Sequence, residues 1–186
     1  AYHPLLNEPM AALANSRGKT IGLIGSVQHI KTLTAQLWHL YSLHVEPGRA
    51  AMYDLTEAAL KEFSDDKFTP LIDNTDAVLK LIPNQPYRRT KFFTSTNYGA
   101  IRLLSANVLA ARNSKTLERI SADESWAYGD NWLDQIKDRT SSYNWSSQIF
   151  LPTSGQTKGS ELDRLWEQSS KKTWHVKCDC CDKYIP

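Results

Sequence analysis

The chain has little cysteine, no long apolar run, and one long stretch without a single acidic residue. Its three cysteines all fall within Cys178–Cys181 of the 186 residues. That is too close together for a disulfide framework, and a reduced, cytoplasmic setting fits better. No apolar run approaches the roughly 18 residues of a membrane span, so no membrane partner is expected. No signal peptide is visible, and the chain opens on Ala1 rather than Met, which reads as a trimmed N-terminus. Internal repeats and low-complexity tracts are missing too. What is present is 41% hydrophobic, enough apolar material for one sizeable core.

The most informative stretch runs Gly25-Ser26-Val27-Gln28-His29-Ile30-Lys31-Thr32. It has the form G-x-x-x-x-G-K-[ST], with Ile30 in place of the second glycine. Thr20 to Ile24 before it suits a short buried strand. Lys31 to His44 after it has helical spacing, with Leu33, Leu37, Leu40, Tyr41 and His44 on one face. Strand, loop and helix in that order aim backbone N–H groups and a helix N-terminus at a phosphate. Lys31 would reach the β- and γ-phosphates of ATP, and the Thr32 hydroxyl would hold Mg²⁺. The competing reading is a polar turn, because β-branched Ile30 demands a different loop shape where glycine is usual. Gly18-Lys19-Thr20 spells the end of the same motif. It has Leu13 where the first glycine belongs and it precedes the strand, so it reads as a turn.

Two further strand ends support the phosphate loop. Leu117 to Ala122 leads into Asp123-Glu124, about ninety residues downstream. Adjacent carboxylates at a strand end are what ATP hydrolysis needs beside a phosphate loop. Asp123 is assigned to Mg²⁺, and Glu124 to orienting and deprotonating the attacking water. An isolated Asp-Glu pair would otherwise be a solvated strand end. Ser147 to Leu151 is another short apolar strand, ending in Pro152-Thr153-Ser154-Gly155. Such an end can sense the γ-phosphate, which makes Thr153 a coupling residue; a plain turn is the default.

The formal net charge of +2 conceals an asymmetry. Asp54 to Ile82 carries seven acidic and three basic residues, a net of −4. Tyr87 to Leu117 carries six basic residues and no acid: Arg88, Arg89, Lys91, Arg102, Arg112 and Lys115. Interleaved Tyr87, Phe92, Phe93 and Tyr98 make this an electrostatic footprint for nucleic acid. The alternative is a hairpin, Lys91 to Thr94 against Ala100 to Leu104, with aromatics in the core and charges solvated.

The remaining segments alternate. Helices are expected over Thr56 to Phe68 with Pro70 following its end, Asp73 to Leu81, Asp130 to Arg139, and Ser160 to Gln168 capped by Ser160. A last strand is expected over Thr173 to Lys177. The pattern argues for an α/β fold of P-loop NTPase type, a mostly parallel central sheet flanked by helices with a β-hairpin insertion. Cys178 and Cys181 have the C-x-x-C spacing of half a zinc ribbon, with Cys180 extra and His175 near enough to be a donor.

In this order the motifs resemble the large terminase subunit of tailed phages, GpA type. The resemblance covers most of the chain. It opens at Pro4 to Leu13 and continues through the phosphate loop. It takes in Glu46-Pro47 leading into Ala50 to Tyr53, Phe68 to Asp73, Asp123-Glu124 and Leu151-Pro152-Thr153, and it ends at Cys178 to Cys181, where the family has Cys-Pro-x-Cys. It implies an ATPase that pumps double-stranded DNA into an empty capsid in the host cytoplasm. The implied assembly is a homo-oligomeric ring with a portal protein and a small terminase subunit, one arginine acting in trans. Residues 1–172 would be the ATPase motor domain. Residues 173–186 would begin a zinc-ribbon-like segment whose second ligand pair lies downstream, so Zn²⁺ is expected of the longer protein. Ile30 and Leu151 depart from the family pattern, and the C-terminal nuclease domain is not among these residues. The runner-up is a catalytically inactive P-loop-like remnant that binds DNA or a packaging partner through the basic segment. A helicase fragment is weaker still, because the further helicase motifs are not found.

Overall fold

Short apolar runs bounded by turns dictate a buried sheet. Ser147–Leu151 is buried at every position and Arg49–Asp54 at its four inner ones, the pattern of strands covered on both faces. The computed structural model describes residues 6–25, 30–113, 116–129, 131–153, 157–178 and 180–185. The chain divides into two compact units, residues 1–155 and 156–186. The first holds α1 (Asn7–Ala14), β1 (Thr20–Gly22), α2 (Lys31–Val45), β2 (Arg49–Asp54), α3 (Glu57–Phe63), α4 (Thr69–Asp73), α5 (Asp76–Leu79), β3 (Arg89–Thr90), β4 (Phe93–Ser95), β5 (Ala100–Ser105), α6 (Leu109–Asn113), β6 (Arg119–Asp123), α7 (Trp132–Asp138) and β7 (Ser147–Leu151). The second holds α8 (Glu161–Glu167), β8 (Val176–Lys177) and β9 (Tyr184–Ile185). Among the described residues no helix is long and apolar enough to cross a membrane.

The strand order is β1-β7-β6-β2-β5-β4-β3. The first five strands are parallel, and β4 and β3 continue the sheet antiparallel. The expected hairpin is therefore the sheet's own edge, because β5 also pairs with β2 in parallel. Its turn is pinned by packing: a Cβ on Gly99 would lie 2.8 Å from the Gly48 backbone nitrogen. Gly18 sits at φ +68 and donates its N–H to the Ser146 carbonyl, so Gly18-Lys19-Thr20 is the turn into β1. One face of the sheet is covered by α1, α2 and the α3–α5 segment through Leu13, Trp38, Leu43, Leu60 and Ile72. On the other face Trp132 of α7 meets Tyr53 edge to face at 5.2 Å.

Several expected boundaries move. Pro70 does not end the first helix. Ser64–Phe68 forms a π turn in which the Thr69 N–H donates to the Ser64 carbonyl, and Pro70, with no N–H to lose, enters at the start of α4. The helix expected from Asp73 is confined to Asp76–Leu79. Asn74 and Thr75 turn their side chains back onto the Pro70 and Leu71 carbonyls at 2.8 and 2.7 Å, which satisfies the end of α4 and stops it. The last strand pairs only over Val176–Lys177, since its partner β9 is two residues long. The Ser160 cap is present, its hydroxyl accepting from the Asp163 N–H.

The face of α2 also differs from the expected one. Leu33, Tyr41 and His44 are exposed, while Ala35, Gln36, Trp38, His39, Ser42 and Leu43 are buried. Apolar spacing alone missed this because the helix presents polar groups to β6. His39 Nε2 lies 2.8 Å from the Ser121 hydroxyl, and its Nδ1 has no partner among the described residues. Complete burial, with the Arg119 charge adding to it, lowers the His39 pKa from 6.5 to about 3. The folded state thus refuses a proton that the unfolded chain accepts below its value of 6.5. His39 therefore favours folding above that pH and loses its contribution as pH falls toward about 3. In urea unfolding, stability should drop between about pH 7.5 and about pH 5.5 by about 1.4 kcal/mol more in the wild-type chain than in His39→Gln. Equal drops would show that His39 is not held neutral.

Candidate active site

Register brings the strand ends together. Tyr53 pairs with Ala122, and Asp123 with Leu151. The ends of β2, β6 and β7 therefore stand at one level, on the side where α2 begins. Ile30 precedes α2 with φ −61 and ψ 3. This is an ordinary region for a residue with a Cβ, so the missing glycine exacts no backbone strain at this position. The Ile30 carbonyl accepts from both the N–H and the hydroxyl of Thr34. Among the described residues no side chain caps the N-terminus of α2, and a helix start of this kind suits an outside acceptor. Gly25 is described; Ser26, Val27, Gln28 and His29 lie outside the described residues.

Lys31, Thr32, Asp123, Glu124 and Thr153 come together as one cluster. Lys31 is only 3% exposed. Its Nζ donates to Thr153 Oγ1 at 2.8 Å and lies 3.8 Å from Glu124 Oε1. Thr153 Oγ1 in turn donates to Glu124 Oε2 at 2.5 Å. One hydroxyl at the end of β7 thus bridges the lysine and the carboxylate. The Thr32 hydroxyl donates to Asp123 Oδ2 at 2.6 Å, and Asp123 Oδ1 accepts the Glu124 N–H at 3.0 Å. Glu124 adopts the left-handed conformation at φ 46, ψ 38, which turns its side chain back over the strand ends. Trp126 Nε1 donates to its Oε2 at 2.5 Å.

Three participants were not anticipated: Asp54, Trp126 and Tyr128. Tyr128 donates to the Asp123 carbonyl at 2.5 Å and packs on Trp132 at 4.3 Å. Asp54 closes β2 beside Asp123. Its one sequence signal is a carboxylate ending an apolar parallel strand. Burial pushes the Asp123 pKa up, against hydrogen bonds from Thr32 and the Glu124 N–H that favour its charge; the Glu124 charge adds to the rise and Lys31 opposes it. Burial likewise raises Asp54, opposed by its bond from the Leu55 N–H and reinforced by the Asp123 and Glu124 charges. Burial and these same carboxylates push Tyr128 well above its usual value. The oxygens of Thr32 and Asp123 are of the type that a hard cation such as Mg²⁺ takes, and a buried lysine at a helix start suits a phosphate.

The basic segment is less free than its composition implies. Arg89 pairs with Asp73 at 2.6 Å and Lys91 with Asp65 at 2.8 Å, both from the acidic run before it. Arg88 donates to the Thr96 carbonyl, and Arg102 lies 4.4 Å over the Phe93 ring. Phe92 and Phe93 are partly buried, while Tyr87 and Tyr98 are exposed. Lys115 and the side chain of Arg112 lie outside the described residues. In the second unit the Sγ atoms of Cys178, Cys180 and Cys181 all lie within 4.8 Å of one another. His175 instead pairs with Thr173, and a closed zinc site takes a fourth donor that is not in this group.

These strands and their connections make a phosphate-loop-like α/β fold. The whole chain, residues 1–186, matches the family described as phage terminase large subunit gpA, ATPase domain, and it belongs to that family. No curated protein matches the sequence. Among solved structures the fold is similar to the HK97 bacteriophage large terminase, with a TM-score of 0.68 at 13% identity over 89% of this chain and 36% of that one. It is also similar to the large terminase ATPase domain of a Thermus phage, with a TM-score of 0.61 at 14% identity over 84% of this chain and 66% of that one. A large terminase from a thermophilic bacteriophage gives 0.62 at 12% identity over 82% and 39%. At these identities the likeness is one of fold, and the chain spans 36% of the HK97 protein's length.

Proposed function

We propose that this chain is the ATP-hydrolysing motor domain of a DNA-packaging large terminase, with its reaction centre at Lys31, Thr32, Asp123, Glu124 and Thr153. The observation that carries the proposal is the Thr153 hydroxyl bridging Lys31 and Glu124. The side chains for phosphate binding and for water activation meet there. The ordinary backbone of Ile30 favours this reading over a closed, inactive remnant.

Each residue then has a chemical task. Residues 25–32 and the α2 N-terminus cradle the phosphates, and Lys31 balances charge on the transferring group. Thr32 and Asp123 would hold Mg²⁺, which would neutralise phosphate charge when bound. Glu124 orients a water and accepts its proton as the water oxygen bonds the γ-phosphorus. The bond to the β–γ bridging oxygen breaks, leaving ADP and phosphate. When Lys31 turns to a phosphate it must leave Thr153, which passes the nucleotide state to the end of β7.

Double-stranded DNA is the cargo, met by the basic segment of Arg88, Arg89, Lys91, Arg102, Arg112 and Lys115. The two exposed ion pairs there are weak enough to exchange for phosphates. A ring of copies working with a portal protein and a small terminase subunit in the host cytoplasm completes the assembly. Calorimetry with Mg²⁺ and ATP should show binding to the unaltered chain, at least tenfold weaker binding to Lys31→Ala, and retained binding without turnover in Glu124→Gln. A folded chain that binds no nucleotide would sink the proposal. Arg88→Ala with Arg102→Ala should weaken duplex DNA binding and flatten its salt dependence; unchanged binding would move the DNA contact elsewhere.

A further inference from the structure

Asp54 belongs to none of the motifs that marked the site. Resting on the reading above, we infer that Asp54 is a third carboxylate of the hydrolytic centre, a positioning residue that shares with Asp123 the water shell of the divalent cation.

The register requires the two to be neighbours. β2 and β6 run parallel with Tyr53 opposite Ala122, so the next step sets Asp54 beside Asp123 at the inter-strand spacing of about 4.8 Å. Alternation settles the face. Ala50 and Met52, four and two positions before Asp54, belong to the core that α2 covers. Ser121, two before Asp123, meets His39 of α2. Both carboxylates therefore project on the α2 side, toward Thr32. On the far side of β2, Ser105 stands opposite Asp54, and its hydroxyl donates to the Leu55 carbonyl. That bond fixes the turn out of β2, while Asp54 Oδ1 accepts the Leu55 N–H at 2.6 Å.

What marks the pair is that the nearest cations, Lys67 for Asp54 and Lys31 for Asp123, act on them without forming an ion pair among the described residues. Among the described residues, the one lysine of the cluster lies against Glu124 and Thr153. Among the described residues neither Asp54 nor Asp123 has an ion pair. Two partly buried carboxylates held side by side by a sheet cannot swing apart to relieve their repulsion. A divalent cation supplies the close charge that these two lysines do not, and the second Asp54 oxygen, with no bond among the described residues, can accept from water on such an ion. Mg²⁺ keeps several waters and is held by only one or two carboxylates, so Asp54 orients the shell while Asp123 and Thr32 stand closest.

The test uses the whole chain with ADP and Mn²⁺ as probes. Asp54→Asn keeps an oxygen for the Leu55 N–H and removes the charge. Its Mn²⁺ affinity in the presence of ADP should fall about tenfold or more, its ADP affinity in EDTA should not change, and its thermal midpoint in EDTA should rise. Asp54→Glu, which keeps the charge on a longer arm, should bind Mn²⁺ with intermediate affinity. Wild-type Mn²⁺ affinity in Asp54→Asn overturns the inference while leaving the site reading intact. Loss of metal-free ADP binding in the variant makes Asp54 merely structural and also overturns it. An unaltered chain that binds neither probe overturns both readings together.

Discussion

Parallel pairing of β6 with β2 on one side and β7 on the other sets three strand ends at one level, and the candidate site depends on that level. Asp54, Asp123 and Thr153 are brought together from positions far apart in the chain because their strands stop in register. The start of α2 closes the group from above, through Thr32 to Asp123 and Lys31 to Thr153. A one-residue slip of β6 would turn Asp123 to the opposite face and Ala122 into its place. The buried contact between His39 and Ser121 opposes such a slip, because it ties α2 to β6 two residues below the carboxylate.

The electrostatics of this level are deliberately unfinished. Three carboxylates meet one buried lysine, and burial pushes two of them, Asp54 and Asp123, toward neutrality. Such a site gains by admitting a cation together with a phosphate, because each relieves a charge that the protein leaves open. Elsewhere the same chain does balance its charges. The acidic run supplies Asp65 and Asp73 to the basic run's Lys91 and Arg89, so part of the asymmetry seen in composition cancels within the fold.

Much of this was legible in the sequence, and the reason is local chemistry. A phosphate-loop pattern before α2, an Asp-Glu strand end and a strand followed by Pro152-Thr153 are each short, and their order along the chain already implied a parallel sheet. Asp54 was not legible, because a single carboxylate after an apolar strand looks the same whether water or another strand end stands beside it. The buried face of α2 was misread because Gln36, His39 and Ser42 face inward, His39 on a Ser121 hydroxyl that only the tertiary structure supplies and Ser42 on the carbonyl of His39 in its own helix. Pro70 misled for a similar reason: a π turn before it absorbs the residue that normally stops a helix. Ile30 itself needs no positive φ, at −61, while the loop residues before it that would meet a phosphate lie outside the described residues.

The central claim is that Thr153 holds Lys31 and Glu124 together until a nucleotide takes the lysine away. Calorimetric titration of Thr153→Val with ATP and Mg²⁺ tests it most directly. Valine cannot accept from Lys31, and a hydrogen bond to a charged group is worth about 1.5–3 kcal/mol. Removing it raises the ligand-free state, so the variant should bind ATP about tenfold more tightly than the unaltered chain while turning it over more slowly. Binding weakened to the level of Lys31→Ala would contradict the account, because Thr153 would then be supporting the lysine rather than restraining it.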